Sequence, residues 1–220
     1  MTELYEVQGL CADCEYLVLG DLRNNVYLIS DGKGTMVVDP SCDAERILEA
    51  LGERDLDVIV ITHGHNDHTG AARALKEATG AVVVASALDA GFVEEPHRVG
   101  MTELSEPCAV DERVSHGDVV KVGDMEWKVM GTPGHTPGSI CLFLVPQFGN
   151  HEHGLPMLLS GDTLFAGTVG RTDFPGGSME EMKRSLKRLA ALPDDTAVLP
   201  GHEALTTIGA ERRRVFAALA

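Results

Sequence analysis

One apolar, β-branched run leads directly into a cluster of metal-binding side chains, and this pairing constrains the chain most strongly. Residues 58–61 read Val-Ile-Val-Ile, which is typical of a buried strand, and His63, His65, Asp67 and His68 follow within six positions. Side chains repeat every 2 residues in a strand and every 3.6 in a helix, so neither element brings all four groups to one point. Imidazole and carboxylate groups are zinc ligands. The pattern therefore predicts a metal-binding loop at the end of a strand.

Three further candidates lie in similar places along the chain. His135 lies in a tight loop with two Pro-Gly pairs, and Asp162 and His202 each follow a short apolar run. Four ligands from the first loop plus these three make seven. Two closely spaced ions that share bridging groups use about this number of ligands. The sequence thus predicts a site for two divalent ions, with zinc favoured and iron or manganese as alternatives.

Composition restricts the class of protein. The chain has 220 residues, 44% of them hydrophobic, and a formal net charge of −16, and we predict a single α/β domain over residues 1–220. The negative charge disfavours nucleic-acid partners, because those require Lys and Arg to neutralise phosphates. A membrane span needs about 18 consecutive apolar residues, and the sequence contains no such run. The first residues do not resemble a secretory signal, so a cytoplasmic location is expected.

The five cysteines are scattered and odd in number, which is not typical of a disulfide framework. Cys11 and Cys14 form one C-x-x-C pair without a second. Because a structural zinc site normally has four ligands, we predict reduced, structural thiols. A metal or redox role for this pair is the alternative.

Periodicity and turn residues predict alternating strands and helices that form two layers of sheet covered by helices. Strands are predicted at about 16–19, 25–30, 35–38, 57–61, 81–85, 118–122, 125–130, 139–145, 156–160 and 196–199. Helices are predicted after Asp43, at about 69–79 and 86–93, after Ser178 and from about 208. In the helix after Ser178, a capping box joins Ser178 to Glu181. Its predicted buried face comprises Met179, Met182, Leu186 and Leu189. Residues 86–117 are predicted to form a surface excursion beside a substrate cleft.

The motif His63-x-His65-x-Asp67-His68 is followed along the chain by His135, Asp162 and His202. These residues and their order resemble the metallo-β-lactamase-fold superfamily over nearly the whole chain. The resemblance implies an α/β, four-layer αββα sandwich of two mixed sheets flanked by helices, with the metals in a cleft at one edge. It also implies that His63, His65 and His135 hold the first metal. Asp67, His68 and His202 would hold the second, and Asp162 would bridge both.

Within that superfamily, residues 132–139, 161–165 and 170–174 are similar to small glyoxalase II-type hydrolases and to persulfide dioxygenases. Zinc β-lactamases commonly have cysteine in place of Asp162, and flavodiiron relatives have glutamate in place of His65, so both are disfavoured. The implied reaction is attack of a metal-activated hydroxide on the thioester, or similar ester, of a small molecule. Full-length glyoxalase II enzymes carry a further C-terminal helical domain, and 18 residues follow His202 here, which disfavours glutathione thioesters.

Three residues receive roles outside the basic ligand set. Asp67 is the predicted catalytic residue, which steers the nucleophile or accepts its proton. Arg171 is predicted to bind a substrate carboxylate, with locking of its own loop as the alternative. Asp39 is interpreted as a strand-end turn in preference to a partner of a ligand imidazole.

Two other functions remain open at this point. A persulfide dioxygenase would hold a single non-haem iron through His63, His135 and Asp162, a two-His, one-carboxylate triad. A non-catalytic metal-binding module is the third reading. The remaining histidines are expected to be surface or structural residues: His97, His116, His151 and His153. The sequence does not predict the oligomeric state.

Overall fold

The computed structural model describes residues 3–100 and 102–219. Met1, Thr2, Met101 and Ala220, which the predicted domain 1–220 includes, lie outside the described residues. The strands are β1 Tyr5–Val7, β2 Asp13–Leu19, β3 Asn24–Ser30, β4 Thr35–Val38, β5 Val58–Ile61, β6 Val82–Ser86, β7 Glu112–Val114, β8 Val119–Val122, β9 Met125–Gly131, β10 Ile140–Leu144, β11 Met157–Gly161, β12 Leu164–Phe165, β13 Thr168–Val169, β14 Ala197–Pro200 and β15 Thr206–Thr207. The helices are α1 Ala44–Leu51, α2 Asn66–Thr69, α3 Ala72–Thr79, α4 Ala90–Glu94, α5 Met179–Leu189, α6 Ile208–Glu211 and α7 Ala217–Leu219. A 3₁₀ turn at Pro146–Phe148 and a π-helical turn at Arg212–Phe216 complete the described elements.

The first sheet contains seven strands in the order β1-β2-β3-β4-β5-β6-β7. Strands β1 to β4 pair antiparallel, whereas β4 to β7 pair in parallel. Helix α1 connects β4 to β5, and α2 and α3 connect β5 to β6. Strands buried on both faces have continuous apolar sequences, and every residue of β5 is buried.

The second sheet contains six strands in the order β15-β14-β11-β10-β9-β8. Strands β8 to β11 form an antiparallel meander. Strand β14 adds to β11 in parallel after the chain has passed through α5, and β15 pairs antiparallel with β14. A separate two-stranded ribbon, β12 with β13, follows β11 directly.

Three apolar clusters divide the molecule into four layers. Successive side chains of a strand face opposite sides, so Val58 and Val60 face the second sheet and the buried Trp127. Ile59 and Ile61 point the other way, into the cluster formed with α1 and α3. On the far side, the outer face of the second sheet packs against α5 and the C-terminal helices. The predicted αββα sandwich of two mixed sheets is confirmed.

The predicted helix 69–79 is wrong in its extent, because two helices, α2 and α3, occupy this region. They are separated at Gly70 and Ala71, where the chain passes close to the loop after β4. Ala71 N–H donates to Pro40 O at 2.9 Å, and a Cβ at Gly70 would collide with Ser41 O. This contact is between distant parts of the chain, and local periodicity cannot predict it.

Helix α5 begins as predicted, but its buried face is shorter. Ser178 Oγ accepts a hydrogen bond from Glu181 N–H at 3.3 Å. The reciprocal bond of a capping box would join Ser178 N–H to the side chain of Glu181. Here Ser178 N–H instead donates to Gly134 O at 2.8 Å. Met179 is 41% exposed, so its predicted core position is wrong, whereas Met182, Leu186 and Leu189 are fully buried. Met179 is the first residue of the helix, whereas the three buried residues lie further along it.

Cys11 and Cys14 are both buried and free. Burial raises the pKa of the Cys11 thiol to about 11 and that of Cys14 further still, so both stay protonated at neutral pH. Their surroundings support the prediction of structural thiols. Among the described residues, the helices are all too short or too polar to cross a lipid bilayer.

Candidate metal centre

The predicted ligands come together at one edge of the sandwich, where strand ends of both sheets meet. His63 and His65 lie in the loop after β5, and Asp67 and His68 lie in α2. The other three come from the second sheet: His135 from the β9–β10 loop, Asp162 directly after β11, and His202 two residues after β14. The structure therefore places all seven side chains in one cluster, and their binding of metal stays a prediction.

His63, His65 and His135 form the first set. Their ring centroids are 4.8 Å apart for His63 and His65, 4.8 Å for His63 and His135, and 4.5 Å for His65 and His135. One nitrogen of each ring lies within 4.8 Å of those of the other two. Three imidazoles in this arrangement match the ligands that zinc and iron use in proteins.

Asp67, His68 and His202 form the second set. His68 Nε2 lies 3.4 Å from Asp67 Oδ2 and 3.3 Å from His202 Nε2, and His202 Nε2 lies 3.4 Å from Asp67 Oδ2. The side chains of Asp67 and His202 are each 17% exposed, while that of His68 is fully buried. The second set is thus the side of the cluster that opens to solvent.

Asp162 lies between the two sets. Its Oδ2 is 3.5 Å from His135 Nε2 and 3.5 Å from His202 Nε2, and its Oδ1 is 3.5 Å from His68 Nε2. Gly201 makes this approach feasible, because a Cβ there would lie 2.5 Å from Asp162 Oδ1 and 2.7 Å from His68 Cε1. A carboxylate in contact with both sets has the position of a bridging ligand.

Two of the histidines are oriented by main-chain carbonyls. His135 Nδ1 lies 2.7 Å from Arg171 O, and His202 Nδ1 lies 3.0 Å from Leu22 O. A carbonyl oxygen only accepts, so in each ring Nδ1 carries a hydrogen and donates it away from the cluster. In both cases Nε2 faces the cluster.

His63 and His68 are oriented through Asp39, which is 2% exposed. Asp39 Oδ2 accepts from His68 Nδ1 at 2.9 Å and from Thr62 Oγ1 at 2.6 Å. Because Thr62 gives its hydroxyl hydrogen to Asp39, its oxygen accepts from His63 Nδ1 at 3.1 Å. The preferred interpretation of Asp39 as a plain strand-end turn is wrong, since its carboxylate orients the imidazole of His68, a predicted ligand.

The donor atoms fit a metal. Three buried atoms that face the cluster, His63 Nε2, His135 Nε2 and Asp162 Oδ1, have no hydrogen-bond partner in the described part of the chain. Buried polar atoms are normally satisfied, because each unpaired one costs about 1–3 kcal/mol. Divalent cations bound in the cluster would satisfy these atoms, because imidazole nitrogens and carboxylate oxygens are their usual ligands.

The electrostatics of the two sets differ. Burial and the neighbouring imidazoles lower the pKa of His63, and they lower that of His65 to about 4. Burial also opposes protonation of His68 and His202, but the surrounding carboxylates outweigh it. They raise the pKa of His68 and bring that of His202 to about 9. His63 and His65 are therefore neutral at neutral pH, whereas the carboxylates around His68 and His202 favour positive charge there.

Both carboxylates of the cluster are ionised at neutral pH. Burial alone would raise the pKa of Asp67 and Asp162, but His68 and His202 outweigh it and lower both. Asp67 additionally accepts a hydrogen bond from Asn24 Nδ2 at 3.1 Å. Ionised carboxylates are the form that binds metal.

Two supporting residues were not identified from the sequence. Asp89, 1% exposed, joins the two loops of the first set: it accepts from Gly64 N–H at 3.0 Å and from Gly138 N–H at 2.8 Å. Asn24, at the start of β3, contacts all three members of the second set. Asp89 precedes a short helix, which in sequence indicates only a helix cap.

Arg171 lies in the loop after β13, at the mouth of the site. Its guanidinium forms two hydrogen bonds with Asp173, at 2.7 and 2.6 Å, and stacks 3.8 Å above the ring of Phe174. Phe174 in turn meets the edge of the His65 ring. These contacts support the loop-locking alternative, and substrate binding by Arg171 stays a prediction. His97, His116, His151 and His153 are exposed, as expected.

The fold and the site together define a family. A family model for the metallo-beta-lactamase superfamily matches residues 19–202. The chain belongs to that superfamily, as its ligand motif indicated.

Individual relatives resemble the chain over most of its length. Hydroxyacylglutathione hydrolase GloC from Haemophilus influenzae is 34% identical over 208 residues, which cover 90% of this chain and 94% of that protein. The crystal structure of the B3 metallo-beta-lactamase BLEG-1 has a TM-score of 0.81 at 28% identity, covering 97% of this chain and 99% of that one. TTHA1623 in a di-iron-bound form has a TM-score of 0.75 at 32% identity, covering 90% and 97%.

Proposed function

We propose that this chain is a binuclear metallohydrolase that cleaves the thioester, or a related ester, of a small molecule. The observation that carries the proposal is the position of Asp162, within 3.5 Å of histidines from both ligand sets. The proposed ligands are His63, His65 and His135 for one ion, Asp67, His68 and His202 for the other, and Asp162 for both.

Two divalent ions, when bound, lower the pKa of water towards roughly 7 and polarise a carbonyl group. The side chains of the protein provide orientation. Asp67 lies at the open side of the cluster and is ionised, so it can accept a hydrogen bond from an attacking water and direct its lone pair. Because its pKa is lowered, Asp67 is a weak proton acceptor, and steering is the role we propose for it.

A thioester is favoured by the comparison with GloC, whose name specifies hydroxyacylglutathione as its substrate. The alignment covers 94% of the length of GloC. A relative without an additional large domain is therefore named for this activity. This similarity reinstates glutathione thioesters, which the sequence analysis disfavoured, among the substrates that we propose.

The metals that we propose are zinc in both sets, with iron or manganese as alternatives. Three imidazoles suit zinc and iron equally, whereas the two carboxylates near His68 and His202 suit harder ions as well. The di-iron form of TTHA1623 supports a pair of ions in a chain of this fold.

The test combines metal analysis with an assay panel. Protein purified without added metal is analysed for its metal content, and it is assayed with an S-hydroxyacylglutathione, a glutathione-free acyl thioester, a β-lactam and glutathione persulfide. We expect two metal ions per chain and thioester cleavage. Asp67→Ala and His135→Ala should each lower kcat/KM by at least about 100-fold. His151→Ala, which alters an exposed histidine paired with Asp13 at 2.7 Å, is the matched control and should retain activity.

Two outcomes would overturn the proposal. Full thioester cleavage by metal-free protein would remove the role of the ions. One iron per chain, with persulfide-dependent oxygen uptake and no thioester cleavage, would identify the dioxygenase alternative held by His63, His135 and Asp162.

A further inference from the structure

Asn24 is the first residue of β3, and it lies inside the candidate metal centre. It is 1% exposed, and its backbone forms an isolated antiparallel bridge with His202. The next residue, Asn25, donates its N–H to Gly201 O at 2.8 Å. The start of β3 is thereby fixed to the loop that carries a ligand of the second set.

The side-chain amide of Asn24 completes a tetrahedron with the second set. Asn24 Nδ2 lies 3.1 Å from Asp67 Oδ2, 3.3 Å from His68 Nε2 and 3.4 Å from His202 Nε2. The distances among the other three corners are 3.4 Å from His68 Nε2 to Asp67 Oδ2, 3.3 Å from His68 Nε2 to His202 Nε2 and 3.4 Å from His202 Nε2 to Asp67 Oδ2. The centre of a regular tetrahedron with such edges lies about 2.0 Å from each corner, which is the length of a zinc bond to nitrogen or oxygen.

The hydrogen-bonding capacity of an amide NH₂ does not match this position. It carries two hydrogens and binds no metal, yet a carboxylate oxygen and two imidazole nitrogens surround it. When these three atoms direct lone pairs at a cation, the two amide hydrogens have no acceptor among them. In the described part of the chain, Asn24 Oδ1 accepts no hydrogen bond. Turning the amide by half a turn therefore breaks no hydrogen bond at Oδ1. Such a half-turn exchanges oxygen and nitrogen without changing the shape of the side chain.

We propose that Asn24 is an additional ligand of the second ion, which it binds through Oδ1 with the amide turned. This assignment rests on the proposed binuclear function and adds a neutral oxygen to a set that the sequence motif limits to Asp67, His68, His202 and the bridging Asp162. The second set then offers three oxygen-bearing side chains and two imidazoles. The first set offers three imidazoles and Asp162, so the two sites differ in preference for hard cations.

The test is a titration of metal-free protein with Co²⁺, in which calorimetry and absorption spectroscopy measure the binding of each ion. We expect the wild-type chain to bind two ions. In Asn24→Leu, which keeps the size of the side chain and removes its oxygen, the first ion should bind unchanged and the second at least about tenfold more weakly. Asn24→Asp, which restores an oxygen, should recover the second ion. Unchanged binding of the first ion in both variants shows that they are folded.

The outcomes separate this assignment from the function on which it rests. A wild-type chain that binds only one ion overturns the binuclear function and the assignment with it. A wild-type chain that binds two ions, with an equal or higher affinity for the second in Asn24→Leu, overturns only the role of Asn24 and identifies its amide as a competing hydrogen-bond donor. A crystal structure with metal supports the assignment if Oδ1 lies about 2.0–2.2 Å from the second ion.

Discussion

At the scale of single residues, Asp39 shows how much of this site depends on groups that do not themselves face its centre. Its backbone has a φ of 51°, a left-handed conformation that is uncommon outside glycine but tolerated by Asp and Asn. In this conformation the carboxylate accepts from Thr62 N–H at 2.7 Å as well as from Thr62 Oγ1 and His68 Nδ1. One carboxylate therefore fixes the end of β5 and the orientation of two imidazoles.

We predict that Asp39→Asn weakens binding of the second ion about 10–100-fold, because loss of a carboxylate behind a ligand histidine has effects of this size. The amide would turn a hydrogen-bond donor towards His68 Nδ1 or the Thr62 hydroxyl, both of which already donate. Metal titration of the variant measures the change.

Asp43→Asn is the matched control, because Asp43 has a similar φ of 55° but no side-chain capping bond. It should bind metal as the wild type does. Equal affinities in both variants would show that Asp39 has no role in metal binding.

Sequence and structure differ most clearly in which residues each reveals. The seven proposed ligands could be found because histidines and aspartates are concentrated at strand ends in a recognisable order. Asn24 and Asp89 could not, because their residue types are common and their partners, Asp67 and Gly138, are 43 and 49 residues away. Asp39 was visible as a candidate, but only the fold shows that its neighbour is His68.

At the scale of elements, α5 supports the loop that carries His135. Ser178 N–H donates to Gly134 O at 2.8 Å, and Ser185 Oγ donates to Pro133 O at 2.7 Å. A Cβ at Gly134 would lie 2.6 Å from Met182 Cα, so the loop lies directly on the helix. Periodicity predicted this helix and most of its buried face, but not that its first turn leaves Met179 exposed.

Met182→Ala should lower the free energy of unfolding by about 2–5 kcal/mol, because it leaves a cavity in the core. Met179→Ala, the matched control on the same helix, should change it by less than about 0.5 kcal/mol. Urea unfolding followed by the fluorescence of Trp127, the single tryptophan, measures both. Equal losses would contradict the assignment of Met182 to the core and Met179 to the surface.

At the scale of the whole molecule, the candidate metal centre joins the two sheets. Four proposed ligands follow β5 of the first sheet, and three follow strands of the second. The resemblance to a known family made this architecture predictable, whereas the short edge strands β1, β7 and β15 were not predicted. These strands have two or three residues, too few for an alternating pattern, and they are defined by pairing with partners that are already in place.

Because the proposed ligands come from both sheets, metal bound there would stabilise the folded state, since the unfolded chain cannot bring them together. At 1,000 times its Kd, one ion adds about 4 kcal/mol, which for a chain of this size corresponds to roughly 8–16 °C in Tm. Because the proposed site holds two ions, we expect a chelator to lower the Tm of the purified protein by at least this amount in calorimetry, and added metal to restore it. In the double variant His63→Ala/His202→Ala, which lacks a ligand in each set, the Tm should be low and nearly insensitive to the chelator. An equal loss of Tm in this variant, or none in the wild type, would show that metal does not connect the two sheets.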